Sequence, residues 1–157
     1  MPRRVLIADD NDVVRGLIRS FLERRSNIEI CAETIDGRAT LDAALALRPD
    51  LLILDVVMPE LNGLEVASLL KQRLPETKTI LFTMYGEAIR NLALAAGVLA
   101  VLPKPDGIRP LLQVVDALLD RNADCVAVLD ALAGEAKPAS EAGGGSTIEQ
   151  VRESRGS

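Results

Sequence analysis

Histidine is absent from the 157-residue sequence, and this absence excludes several kinds of chemistry at once. Without an imidazole the chain cannot build a Ser-His-Asp or Cys-His catalytic site, a histidine-ligated metal site or a phosphohistidine. Tryptophan is also absent and aromatic residues make up 2% of the chain, so we expect an aliphatic core. The reactive side chains that remain are carboxylates, hydroxyls and amines.

The chain is also poor in cysteine, in long apolar stretches and in basic runs. Cys31 and Cys125 are too far apart for a zinc site or a disulfide framework, and we expect both to be buried as small apolar residues. The longest uncharged apolar stretch, residues 92–103, has 12 residues, whereas a membrane-spanning helix needs about 20. The net charge is −5 and the basic residues are dispersed, which argues against nucleic-acid binding. These features predict a cytoplasmic protein that contacts neither membrane nor nucleic acid.

Five short aliphatic runs alternate with stretches of helical periodicity. The runs are residues 5–8, 28–32, 51–54, 79–82 and 98–102, and their starts are 19 to 28 residues apart. Each gap leaves room for a helix and two turns. The third run is apolar at every position, which is typical of a strand in a parallel sheet covered on both faces. The pattern predicts a doubly wound α/β domain with a five-stranded parallel sheet, (βα)5, closed by a fifth helix over about residues 108–121.

The predicted domain occupies residues 1–121, and 36 residues follow it. We expect residues 122–133 to extend the last helix and residues 134–157 to form a flexible tail of glycine, serine and charged residues. Six positions follow the alternating three- and four-residue spacing of a heptad seam: Val115, Leu118, Asn122, Cys125, Leu129 and Leu132. This seam would support a homodimer. The alternative is that the stretch packs against its own domain.

Polar residues stand where four of the five runs end. Asp9 and Asp10 follow the first run, Asp55 follows the third, Thr83 follows the fourth and Lys104 comes shortly after the fifth. Taken singly, each has a simpler explanation as a helix cap, a turn residue, a strand terminus or a solvated lysine. In an open parallel sheet, however, ligands bind outside the carboxyl ends of the strands. The joint pattern therefore favours one site at this edge.

The chemistry of such a site follows from its charges. Two carboxylates within about 4 Å of each other repel by on the order of 4 kcal/mol at an effective dielectric of 20, so the cluster must hold a cation or stay partly protonated. An all-oxygen ligand set suits Mg²⁺. A carboxylate beside Mg²⁺, with a hydroxyl and a lysine nearby, can accept a phosphoryl group. Glu33 and Thr34, which end the second run, have no role in this interpretation.

In order and spacing, these residues resemble the motifs of the receiver domains of two-component response regulators, the CheY-like family, over about residues 3–121. The resemblance implies the flavodoxin-like strand order 2-1-3-4-5. It implies phosphorylation of Asp55 by a sensor histidine kinase or phosphotransfer protein, with Thr83 and Lys104 assisting. It also implies Mg²⁺ bound by four groups: the carboxylates of Asp9, Asp10 and Asp55 and the main-chain carbonyl of Val57.

Further positions match the family's loops. Met58 and Pro59, with Gly63, correspond to the loop after the phosphoacceptor, and Pro105 follows the lysine. The resemblance implies that the Lys104–Pro105 peptide is cis, a geometry that is accessible before proline.

One position departs from the family pattern. Three residues before the lysine the family has a Tyr or Phe, whereas this chain has Val101. We therefore expect the phosphorylation-dependent shift of the helix 4, strand 5 and helix 5 surface to run through the backbone near Thr83, Met84 and Tyr85. Val57 and Tyr85 flank the site in this family, and we expect them to set the lifetime of the acyl phosphate.

The output of such a domain lies elsewhere. The sequences of residues 5–10, 28–30 and 48–50 most resemble those of receivers that carry a C-terminal helix-turn-helix domain. We therefore expect a downstream partner protein or a missing output domain. On this interpretation the chain is a signalling module that catalyses only its own phosphorylation and dephosphorylation. Two alternatives stay open: a haloacid-dehalogenase-type hydrolase using Asp10-Asn11-Asp12, and a receiver-like binding module that is never phosphorylated.

Overall fold

The fold is described from a computed structural model over residues 1–120. Several predictions lie outside this range: the helical extension over residues 122–133, the tail over residues 134–157, the role of Cys125 and the seam positions from Asn122 onward. Within the described range, no helix is long and apolar enough to cross a membrane.

Strands and helices alternate along residues 1–120. The strands are β1 (Arg3–Ala8), β2 (Ile28–Thr34), β3 (Leu51–Leu54), β4 (Lys78–Thr83) and β5 (Ala100–Pro103). The helices are α1 (Asp12–Leu22), α2 (Gly37–Leu47), α3 (Gly63–Arg73), α4 (Gly86–Ala95) and α5 (Ile108–Leu119). All neighbouring strands are parallel, in the order β2-β1-β3-β4-β5. The predicted fold class and strand order are confirmed.

The fifth strand begins later than the sequence pattern suggests. We predicted a strand over residues 98–102, but the ladder starts at Ala100, opposite Ile80. Gly97 has a φ of +93°, and the Val98 amide donates to the Ala93 carbonyl at 3.1 Å. Val98 therefore closes the turn after α4 rather than opening the strand, although its side chain is as buried as a strand residue's.

The core is aliphatic, as the shortage of aromatic residues predicted. On one face of the sheet, alternate strand residues pack with apolar residues of α2, α3 and α4. Because successive strand residues point to opposite faces, the remaining strand residues pack on the side of α1 and α5. Every residue of Leu51–Leu54 is at most 1% exposed, which agrees with the prediction that β3 is covered on both sides.

The burial of Cys31 and the end of α5 differ from the predictions. Cys31 is half-buried rather than buried, because it lies on β2 at the edge of the sheet, and its Sγ lies 3.4 Å from the Val5 carbonyl oxygen. Burial nevertheless raises the pKa of its thiol. α5 spans Ile108–Leu119 and ends two residues before the approximate end that we predicted, because the Asp120 backbone is extended. Val115 and Leu118, the first two seam positions, are fully buried inside their own domain.

Candidate functional site

The carboxyl ends of the strands bring the predicted site residues together. Ala8 of β1 pairs with Leu54 of β3, so the residues that follow them, Asp9 and Asp55, lie side by side. Asp9 and Asp55 are 2% and 6% exposed, whereas Asp10 is exposed to solvent. One carboxylate oxygen from each of the three lies within 4.8 Å of the others. Such a cluster of hard oxygen ligands fits Mg²⁺ and would suit a nitrogen- or sulfur-seeking metal poorly.

Lys104 supplies the positive charge that the buried carboxylates need. Its Nζ lies 2.7 Å from Oδ2 of Asp9 and 3.1 Å from Oδ2 of Asp55. Burial raises the pKa of Asp9, aided by the charge of Asp55 and opposed by the hydrogen bond from Lys104. Burial acts to lower the pKa of Lys104, but its hydrogen bonds to the two carboxylates outweigh burial and raise it. One ammonium among three carboxylates leaves the site short of positive charge.

The loop after β3 fixes Asp55 in place. The backbone amide of Asp55 donates to the Ala8 carbonyl at 2.9 Å, and Oδ1 of the Asp55 side chain accepts from the Val56 amide at 2.7 Å. The Gly63 amide returns to the Val56 carbonyl at 2.8 Å. These bonds leave the other carboxylate oxygen, Oδ2, directed at Lys104.

The predicted loop residues frame this arrangement. Met58 is buried in the core, and Pro59 accepts a hydrogen bond from the Gly37 amide at 3.0 Å through its carbonyl. Val57, two residues after Asp55, is 55% exposed. The role of its carbonyl as a metal ligand stays a prediction.

Thr83 is the last residue of β4, the strand that pairs with β3 before Asp55. Thr83 is fully buried, and its Oγ1 accepts from the Tyr85 amide at 3.4 Å. The side chains of Met84 and Tyr85 are 60% and 57% exposed. Val101 is 4% exposed and belongs to the aliphatic core, so this chain has no ring at position 101 to swing between a buried and an exposed position.

The peptide after Lys104 differs from the expectation. No peptide bond in residues 1–120 is cis, so the prediction of a cis bond before Pro105 is wrong for this structure. Lys104 instead begins a 3-10 turn, Lys104–Asp106, which the Gly107 amide closes on the Lys104 carbonyl at 3.0 Å. The trans form is the ordinary one for this bond, by about 0.5–1 kcal/mol.

Helix α1 is capped by Asn11. Asn11 Oδ1 accepts from the amides of Val13 and Val14, at 2.9 and 3.2 Å. The Asn11 amide in turn donates to Oδ1 of Asp9 at 2.9 Å. Because Asn11 takes the capping role, the Asp10 carboxylate is available to the site.

Sequence reasoning missed Arg15 and left Glu33 without a role. Arg15 donates from Nη1 to the carbonyl oxygen of Asp9 at 2.7 Å, and its Nε lies 3.4 Å from Glu33. Arg19, one helical turn further, lies 2.7 Å from the same carboxylate. The available signal was the spacing: arginines four residues apart share a helix face, and Glu33 is the next-to-last residue of β2, the strand beside β1.

The chain is similar in sequence to known proteins. Residues 5–116 match the family model of the response regulator receiver domain. A protein-glutamate methylesterase/protein-glutamine glutaminase from a Nocardioides species is 35% identical over 125 residues, which are 75% of this chain and 34% of that protein. Response regulator protein VraR of Staphylococcus saprophyticus is 36% identical over 87 residues, 55% of this chain and 42% of VraR. The chain thus spans less than half the length of these relatives.

Solved structures show the same fold. The response regulator domain of Thermotoga maritima CheB is 26% identical, with a TM-score of 0.66 over 83% of this chain and 98% of that one. A two-component response regulator of the LuxR family from an Aurantimonas species is 25% identical, with a TM-score of 0.68 over 86% of this chain and 98% of that one.

Proposed function

This chain belongs to the response regulator receiver domains of two-component systems, and from that premise we propose that Asp55 is its phosphoacceptor and that Mg²⁺ is its cofactor. The observation that carries the proposal is the position of Lys104, whose ammonium joins the buried carboxylates of Asp9 and Asp55. A receiver domain is a signalling module, and here the only chemistry proposed is the gain and loss of its own phosphoryl group.

The contacts of Asp55 suggest how its carboxylate reacts. Oδ1 is occupied by the Val56 amide, so Oδ2, which faces Lys104, is the attacking oxygen. The O–P bond forms as the donor's N–P or O–P bond breaks, and the donor leaves with the bonding electron pair and takes up a proton. Lys104, anchored by Asp9, then stabilises the negative charge of one phosphoryl oxygen, and the Thr83 hydroxyl donates a hydrogen bond to a second phosphoryl oxygen.

Four groups would hold the metal: the carboxylates of Asp9, Asp10 and Asp55 and the carbonyl of Val57. When bound, Mg²⁺ would neutralise phosphoryl oxygens in the same way as Lys104 does. Because these 157 residues include no histidine, a phosphohistidine donor lies outside them. We infer a sensor histidine kinase or phosphotransfer protein, with small acyl phosphates as substitutes, in the cytoplasm.

The output is proposed to lie outside the described domain. Relatives include a methylesterase and a LuxR-family regulator, which differ in activity, and this chain spans only part of the curated ones. We propose that phosphorylation shifts the surface formed by α4, β5 and α5, and that this surface controls a partner protein or an output domain that follows in a longer chain. Because Val101 is a buried aliphatic residue, we propose the backbone from Thr83 to Tyr85 as the route for this shift.

The two alternative functions have weaker support from the geometry. A dehalogenase-type site would need Asp12 to face the same ligand as Asp10. The Asp12 side chain is instead 87% exposed and pairs with Arg15. A binding module that is never phosphorylated would have no need for three clustered carboxylates, although Val101 is compatible with it.

One experiment separates these functions. The protein is incubated with Mg²⁺ and acetyl phosphate, and its intact mass is measured for one added phosphoryl group. We expect the adduct in the wild type and in Asp42→Asn, which alters an exposed carboxylate on α2, but not in Asp55→Asn, and little in Asp10→Asn. An adduct that survives Asp55→Asn and disappears with Asp10→Asn would favour the hydrolase, and no adduct in the wild type would favour the binding module.

A further inference from the structure

Arg15 holds the backbone of the loop that carries two of the site's carboxylates. Its guanidinium contacts three partners: Nη1 donates to the Asp9 carbonyl at 2.7 Å, Nε lies 3.4 Å from Oε1 of Glu33, and Nη2 contacts the Asp12 carboxylate. The side chain is 14% exposed, although arginine is usually an exposed residue. A planar guanidinium with partners on several sides has little rotational freedom.

Asp10 depends on this loop more than its neighbours do. The Asp9 carboxylate is held by the Asn11 amide and by Lys104. By contrast, no hydrogen bond or ion pair within residues 1–120 ends on the Asp10 carboxylate. The direction of its side chain is therefore set by the peptide that joins Asp9 to Asp10, and the carbonyl of that peptide is the group that Arg15 binds.

Glu33 in turn fixes Arg15. Its two carboxylate oxygens are divided between Arg15 and Arg19, at 3.4 and 2.7 Å, and its side chain is 24% exposed. On the other side of the loop, the Asp9 amide donates to the Thr34 carbonyl at 3.1 Å. The end of β2 thus supports Asp9 at two backbone groups. Glu33 acts on the Asp9 carbonyl through Arg15, and the Thr34 carbonyl accepts from the Asp9 amide.

We propose that Arg15, seated on Glu33, is a positioning residue that orients the carboxylates of Asp9 and Asp10 for Mg²⁺. The inference rests on the proposed function, because it assumes that these carboxylates bind the metal. It assigns Arg15 no contact with the metal or with the phosphoryl group. Its effect is exerted through the Asp9–Asp10 peptide, in the way that groups behind metal ligands orient the ligands themselves.

Charge and positioning make opposite predictions for the loss of Arg15. A positive charge near the site repels Mg²⁺, so removal of the guanidinium would, by Coulomb interaction alone, strengthen Mg²⁺ binding. Removal of a positioning group instead loosens the carboxylates and weakens binding. Arg19→Met is the matched control, because it removes the same charge from the same face of α1 but leaves the bond from Arg15 to Asp9.

The test is a calorimetric titration of each variant with Mg²⁺ alone, with far-UV circular dichroism to check folding. We expect Arg15→Met to weaken Mg²⁺ binding about tenfold, Arg15→Lys to recover part of the loss, and Arg19→Met to bind as tightly as the wild type or more tightly. Arg15→Met that binds Mg²⁺ as well as the wild type overturns the inference. If Arg15→Met does not fold, Arg15→Lys decides, because its single ammonium cannot span both the carbonyl and Glu33; wild-type affinity in that variant overturns the inference equally.

The proposed function fails in a different way. A wild-type protein that binds no Mg²⁺ and gains no phosphoryl group contradicts the proposed function. A wild-type protein that does both, beside an Arg15→Met variant of unchanged affinity, contradicts only the role of Arg15.

Discussion

A Cβ atom on Gly63 would lie 2.2 Å from the carbonyl oxygen of Asp55, well inside any permitted contact. The closeness follows from the loop after β3, which the Gly63 amide closes onto the Val56 carbonyl at 2.8 Å. A side chain at position 63 must therefore push the first turn of α3 away from the residue proposed to accept the phosphoryl group. Glycine is required at position 63 by the space available.

We expect Gly63→Ala to lower the free energy of unfolding by about 3 kcal/mol and to slow phosphorylation by acetyl phosphate, because the clash is with backbone on both sides. Urea unfolding and intact mass measure the two effects. Gly16→Ala is the control, since its Cβ would meet only the Arg19 side chain at 3.8 Å. Within α1 this change should stabilise by about 0.5–1 kcal/mol. Equal unfolding midpoints for Gly63→Ala and the wild type would contradict the argument.

Removal of the Lys104 ammonium should lower the stability of the metal-free protein and raise its affinity for Mg²⁺. Without Mg²⁺, Lys104→Met leaves the buried carboxylates of Asp9 and Asp55 without their shared partner, and we expect a loss on the order of 3 kcal/mol. Added Mg²⁺ should raise the melting temperature of this variant more than that of the wild type, because the ion no longer competes with an ammonium.

Thermal melting with and without Mg²⁺ measures this difference. Lys71→Met is the control, because the Lys71 Nζ donates to the Ala95 carbonyl of α4 at 3.4 Å rather than to a carboxylate of the site, and its loss should leave the Mg²⁺ response unchanged. A smaller Mg²⁺-dependent shift in Lys104→Met than in the wild type would argue against a metal bound beside Lys104.

The heptad seam can be tested by truncation. Val115 and Leu118 are buried in the domain's own core, so they are not available to a second copy of the chain. We therefore expect a chain truncated after Arg121 and the full chain to have the same number of chains per particle in sedimentation. A full chain that sediments as a dimer beside a monomeric truncated chain would restore the homodimer prediction.

The sequence predicted the site because its residues directly follow or end apolar strands. Asp9, Asp55 and Thr83 each stand at a strand's carboxyl end, and parallel pairing places such ends at one edge. Arg15 and Glu33 could not be paired in this way. Their contact depends on how α1 crosses the β1–β2 edge, and helical periodicity sets the face of a helix but not its direction over the sheet.

Two local predictions were wrong: the start of the fifth strand at Val98 and the cis bond before Pro105. Val98 has the apolar character of a strand residue, yet the positive φ of Gly97 turns it into the end of the α4 connection. The cis bond before Pro105 was carried over from the family, and no feature of residues 103–107 in this sequence itself required it. Patterns of apolarity specify burial more securely than they specify backbone direction.

The lifetime of the phosphoryl group should depend on two exposed residues that follow the site's strands in sequence, Val57 and Tyr85. Val57 and Tyr85 are 55% and 57% exposed, and Tyr85 is joined through its amide to the Thr83 hydroxyl at 3.4 Å. We expect Val57→Asn to speed hydrolysis several-fold, because an amide can orient the attacking water, and Tyr85→Ala to speed it by admitting water. The decay of the phosphorylated mass after removal of acetyl phosphate measures both rates. Leu94→Ala, which alters a similarly exposed apolar residue near the end of α4, should decay as the wild type does. Unchanged rates in Val57→Asn and Tyr85→Ala would remove Val57 and Tyr85 from control of the signal's duration.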